Sequence, residues 1–173
     1  MIFREVIANI LLLLSLLVNT NGEDIRLIRR MYTQSVEHRE SAEQLIRLLS
    51  AKPKTPLMTG YLGAVNMVMA KHVFNPVSKL KYFRAGKGYL ENGIRKSPAD
   101  PELRFLRHAI QVSAPSFLGY NADKQADRSF LMSSLRSGKI KDKQLQNSIV
   151  KFLMMQESTP GEKKFLNAIY KNQ

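Results

Sequence analysis

The sequence predicts an all-α protein, a stack of roughly seven to eight helices arranged as successive helical hairpins. Three observations carry this expectation. Apolar residues recur at intervals of three and four from Asp24 onward. Proline, glycine and asparagine punctuate these runs at short intervals. No segment shows the apolar–polar alternation or the β-branched enrichment of a strand.

The N-terminus stands apart from that pattern. Met1-Ile2-Phe3-Arg4-Glu5 is followed by an apolar stretch from Ile10 to Val18, rich in leucine, and then by Asn19-Thr20-Asn21-Gly22. A short charged start, an apolar run of about 7–15 residues and a small residue at a polar boundary are the parts of a secretory signal peptide. Residues 1–22 are therefore expected to be a leader cleaved after Gly22, and residues 23–173 a single α-helical domain. The competing reading, a membrane anchor, needs roughly 20 consecutive apolar residues. Glu5, Asn9 and Asn19 shorten the run below that. The chain has no cysteine, so disulfides cannot staple the fold and packing must hold it.

Asp24 to about Ser50 reads as two helices, with Ile25, Ile28 and Tyr32 on the first, Leu45, Ile46, Leu48 and Leu49 on the second, and a polar patch between them. Pro53 and Pro56 interrupt the chain. Thr55-Pro56 then supplies an N-cap and a first helical position for a helix running to about Phe74. Its two adjoining apolar stripes, Leu57, Tyr61, Ala64, Val68 and Met58, Leu62, Val65, Met69, place it in the middle of a packed domain. Gly60 and Gly63 each cost up to about 1 kcal/mol inside a helix; they are expected to be packing notches.

Asn75-Pro76 starts the next helix, from Val77 to about Lys96, with Leu80, Phe83, Leu90 and Ile94 on one face and Tyr82, Gly86, Tyr89 and Gly93 on another. Asp100-Pro101-Glu102 combines a cap, a first-position proline and an acid near the positive end of the dipole. That helix carries Leu103, Leu106 and Ile110 and stops at Pro115, before the connector Phe117-Leu118-Gly119-Tyr120. Three more helices are expected at about Asp123 to Arg136, Asp142 to Gln156 and Pro160 to Lys171. The last opens with a capping-box spacing, Thr159-Pro160-Gly161-Glu162.

Within this pattern Gly86-x-x-x-Leu90-x-x-Gly93-x-x-x-x-Pro98 resembles the second helix of a tetratricopeptide repeat, and Leu57 to Ala64 looks like the matching first helix. About 45 residues match. The usual alanine is glycine here, and the connection through Lys71 to Ser78 is longer than the standard turn. The segments Gly60-Tyr61-Leu62-Gly63-Ala64, Asn75-Pro76-x-Ser78-Lys79-Leu80-Lys81-Tyr82 and Glu102-Leu103-Arg104-Phe105-Leu106-Arg107, with Tyr120, resemble an uncharacterised family of small exported helical proteins of Bacteroidota. That resemblance implies an exported, repeat-like helical domain in the periplasm or envelope of a Gram-negative bacterium. It implies no activity.

The chemistry-bearing residues do not form an enzyme signature. His38, His72 and His108 are far apart and outside metal-ligand spacings. There is no thiol, no Gly-x-Ser-x-Gly elbow and no phosphate-binding glycine loop, so no catalytic residue, metal or cofactor is expected. Glu91, Asp100 and Glu102 surround a helix junction, where capping is expected to explain Asp100 and Glu102.

The sharper signal is charge. There are 27 Lys and Arg against 14 Asp and Glu, a net +13, and Arg4 cancels Glu5 within the leader. An excess of this size favours contact with anionic partners, and it also promotes solubility. Candidate binding residues are Lys71, Asn75 and Lys79 at the long connection, Arg104, Arg107 and Gln111 on the following helix, and Tyr61 beside them, with His72, Lys81 and Arg84 nearby. In a hairpin stack these could line one concave face holding an acidic peptide or a polyanion. The competing arrangement pairs Arg104 and Arg107 internally with Glu102, Glu91 or helix C-terminal carbonyls and leaves the lysines to solvate the outside. The expected function is a non-enzymatic interaction module of the cell envelope that binds a protein or peptide. An electrostatic binder of envelope polyanions is the second expectation, and an enzyme of unknown class on a helical scaffold the third. Nucleic acid is not the expected target of an exported chain.

Overall fold

A computed structural model describes residues 24–51 and 55–171. Among them there is no strand, and the expected all-α class is observed. The helices are α1 (24–35), α2 (Arg39–Ala51), α3 (Pro56–His72), α4 (Pro76–Lys96), α5 (Pro101–Ser113), α6 (Lys124–Arg136), α7 (Lys143–Met154) and α8 (Pro160–Lys171), with a 3-10 turn at Ser116–Leu118 after α5. The expected leader, residues 1–22, lies outside the described residues. None of the described helices is long and apolar enough to cross a membrane.

Helix starts follow local chemistry. Thr55 accepts from the Met58 amide, Asn75 from Val77 and Ser78, and Asp100 from Glu102 and Leu103, each ahead of a proline in the first turn. Asp142 caps α7 through Leu145. Thr159 and Glu162 form a reciprocal capping box, with amide contacts of 3.0 and 3.3 Å.

α3 is buried on most sides and packs against α2, α4 and α5. Its closest partner is α4, and glycines make that approach possible. A Cβ on Gly63 would overlap the Leu90 amide and lie 2.6 Å from the Gly86 carbonyl, and a Cβ on Gly93 would lie 2.6 Å from the Pro56 carbonyl. Gly63, Gly86 and Gly93 thus let the two backbones touch, while Gly60 makes room for the Leu103 side chain.

The interior has two apolar clusters. One joins α1 to α5 and is closed by Tyr120; the other joins α6, α7 and α8 around Leu131, Leu135, Ile149, Leu153 and Leu166. α5 serves both, because Leu103, Leu106 and Ile110 face the first while Phe105 packs against the second, its ring 5.5 Å from that of Phe152.

Candidate functional site

The seven candidate residues are divided among four places. Tyr61, Arg104, Arg107 and Gln111 point inward, and Lys71, Asn75 and Lys79 stay at the α3–α4 corner.

Arg107 is the hub of one buried ion network. Its Nε and Nη2 donate to the two carboxylate oxygens of Asp127 at 2.6 and 2.8 Å, and its Nη1 meets Glu91 at 3.0 Å and Asp123 at 3.3 Å. Arg104 donates to the same Asp127 at 2.7 Å and to the Pro98 carbonyl at 3.0 Å. Asp127 is 0% exposed, so the ionised carboxylate depends on these two guanidiniums. Tyr120 donates to Glu91 at 2.5 Å. Burial, then the bond to Glu91, pushes the Tyr120 hydroxyl well above its ordinary pKa.

Tyr61 belongs to a second network. Arg29 of α1 grips Glu102 with two hydrogen bonds of 2.7 and 2.8 Å, Tyr61 donates to Glu102 at 2.6 Å, and Arg29 also reaches Asp142 at 2.8 Å. This set ties α1, α3 and α5 to the start of α7. Glu102 is accordingly an ion-pair partner, whereas its position in the first turn suggested a dipole role; Asp100 does cap, as expected.

The single concave face predicted for these residues therefore does not form. The internal pairing of Arg104 and Arg107 is observed, with Asp127 as the main acid. Asp127 and Arg29 were not singled out by the sequence reading. A signal for Asp127 is present: it lies four and eight residues before Leu131 and Leu135, in the buried phase of α6, where an acid requires a cationic partner.

At the corner, Lys71 donates to the Val36 carbonyl at 3.1 Å and lies 3.9 Å from Glu37. His72 contacts the Ser35 carbonyl at 2.7 Å, and Asn75 is occupied as the α4 cap. Lys79 is exposed and has no acidic partner among the described residues. Helical spacing continues from here along the outside of α4. Val77, Lys81, Arg84, Gly88 and Arg95 share one exposed stripe, opposite the buried Phe83, Gly86, Leu90, Gly93 and Ile94. Glu91, the sole acid of α4, turns toward Arg107 and Tyr120. Phe74 and Val77 stand in solvent at the corner, 94% and 77% exposed. The result is a cationic face with two large apolar side chains at its end.

A separate cleft of about 390 Å³ lies between α5, the connector after it and the start of α6, and Gln111 forms part of its wall. His108, also on that wall, contacts Gln156 at 3.0 Å. Burial lowers its pKa more than the surrounding hydrogen bonds raise it. Among the described residues no three His, Asp or Glu side chains gather as a metal-ligand set.

Comparison of the chain with protein-family models, with curated proteins and with solved structures finds no match. The functional reading rests on the geometry above.

Proposed function

We propose that this chain is a non-enzymatic helical interaction module of the cell envelope that docks an acidic protein or peptide partner on the outer face of α4. The observation that carries this reading is the row of cations with no acidic partner among the described residues, Lys81, Arg84 and Arg95, on the stripe that ends at the exposed Val77 beside Phe74. Cations steer an acidic partner and select it, while a desolvated aromatic anchor supplies affinity that charge in water does not. Export is supported by the leader-like pattern of residues 1–22.

A second reading, an electrostatic binder of envelope polyanions, is favoured by the net charge of +13. The two differ in their dependence on Phe74. Cross-linking the protein in envelope extracts, with captured proteins quantified for wild type and variants, tests the first. A specific partner is expected to be lost both from Lys81→Gln/Arg84→Gln/Arg95→Gln and from Phe74→Ser/Val77→Ser. A polyanion binder would instead hold polyglutamate, release it at moderate salt, and be indifferent to Phe74→Ser/Val77→Ser. Capture undiminished in both variants would show that the α4 face is not the docking surface.

A further inference from the structure

The cleft beside α6 contains features that packing alone does not explain. Gln111 is 4% exposed, yet neither the nitrogen nor the oxygen of its side-chain amide has a hydrogen-bond partner. Burying an amide without partners destabilises the fold. Gln111 lines the cleft with both amide atoms closed off from water, so a ligand there would satisfy both once the side chain turns toward it.

The start of α6 forms another part of the same wall, through Lys124 and Gln125. α6 has no side-chain cap, because Asp123, at the N-cap position, is engaged by Arg107 at 3.3 Å. The Gln125 amide consequently has no hydrogen-bond acceptor and sits at the positive end of a 13-residue helix.

Charge around the cleft is one-sided. Among the described residues Lys124 is exposed with no acidic partner and no Asp or Glu lines the space, while Arg128, also on the wall, is paired with Glu162. Of the nearby acids, Glu162 is engaged by Arg128, and Glu91 and Asp123 by Arg107. The volume of about 390 Å³ is near the small end for ligand sites and suits one or two amino-acid units.

The geometry points to a binding site for a carboxylate with an adjacent amide, the carboxylate on the Gln125 amide and Lys124 and the ligand's amide paired with both polar atoms of the Gln111 side chain. Two sources share this chemistry, a free N-acylated amino acid and the C-terminal end of a peptide. The site does not depend on the docking face of α4.

The test is titration of the ¹⁵N-labelled protein with N-acetylalanine, acetyl-Ala-Ala, its C-terminal amide, and acetate. N-acetylalanine and acetyl-Ala-Ala are expected to shift the Gln111 side-chain NH₂ and the Gln125 backbone resonances. Tighter binding of acetyl-Ala-Ala identifies the chain end as the source, and equal binding the free acylated amino acid. The amidated peptide should bind at least tenfold more weakly, because the helix end and Lys124 lose their anion. Gln111→Leu should weaken N-acetylalanine at least tenfold while acetate still perturbs Gln125, and Lys124→Gln, at an exposed position, should weaken both. No shift at Gln111 and Gln125, equal binding of the amidated peptide, or acetate matching N-acetylalanine in affinity and in its effect on Gln111 would each overturn the assignment. The comparison of free and amidated peptide needs no variant, so it decides the matter even if Gln111→Leu does not fold.

Discussion

At the residue scale, the two arginines that most resemble binding groups are structural. Arg107 is almost fully buried and holds Asp127, which has no access to water. Removing one member of a buried pair leaves an uncompensated charge and costs about 3–5 kcal/mol. Arg107→Ala is therefore expected to lower the urea midpoint severely. By contrast Arg39→Ala, which breaks the exposed Arg39–Glu43 pair of α2, should change stability by no more than about 0.5 kcal/mol. A comparable loss in both variants would mean that Asp127 is not the buried centre described here.

His108 gives a pH signature with a definite sign. Burial first, against opposing hydrogen bonds, lowers its pKa in the fold, so the folded ring stays neutral where the unfolded ring already binds a proton. Its contribution to stability is then complete above about pH 6.5 and declines as pH falls below that value. Urea midpoints at pH 7.5 and 5.5 should differ more for wild type than for His108→Gln. Glu162 acts in a lower window. Its hydrogen bond to Arg128, then that from the Thr159 amide, holds its pKa down to about 2 against an ordinary 4.5, so that stabilisation is lost only as pH falls from about 4.5 toward 2.

At the scale of elements, the α3–α4 hairpin is defined by backbone contact. Gly63→Ala inserts a methyl group where the Leu90 amide and Gly86 carbonyl already stand, so α4 must move away. Overpacking of this kind costs about 1–3 kcal/mol. Gly88 lies on the same hairpin with nothing within 4 Å of its added Cβ, and Gly88→Ala should stabilise by about 0.5–1 kcal/mol through backbone entropy. Opposite shifts in melting temperature for two glycine-to-alanine changes are the expected result. The small-residue spacing of α3 and α4 already points to close helix approach. Which glycine touches and which faces solvent depends on the rotation of α4 about its axis, which long-range packing sets.

At the scale of the whole molecule, the folded chain buries Glu102 and Asp127 among arginines and leaves its lysines outside. Glu91, Glu102, Asp123, Asp127, Asp142 and Glu162 each meet an arginine, while Lys79, Lys81 and Lys124 remain in water. A surface of this kind repels itself at low ionic strength. Raising salt from about 10 mM to 0.3 M should raise the melting temperature, because exposed repulsion is screened at distances beyond the Debye length while the buried pairs are screened much less. A fall in melting temperature would show that surface pairs, not the interior networks, dominate the electrostatics.

What the sequence by itself determined is the helical class, the order of the helices and most of their starts. Those depend on residues within one turn of each other: Thr55, Asn75, Asp100, Asp142 and Thr159 each cap the helix they directly precede. Asp123 is the instructive exception, since a cap by position is drawn away by Arg107, 16 residues earlier in the chain. Tertiary structure alone decided which charges are free. Arg29 meets Asp142 across 113 residues of sequence, and Arg107 meets Asp127 across 20. Such pairings follow from how whole helices pack, not from local spacing. The same packing turned Arg104 and Arg107 from a groove into a core and left the outer stripe of α4 and the Gln111 cleft at the surface.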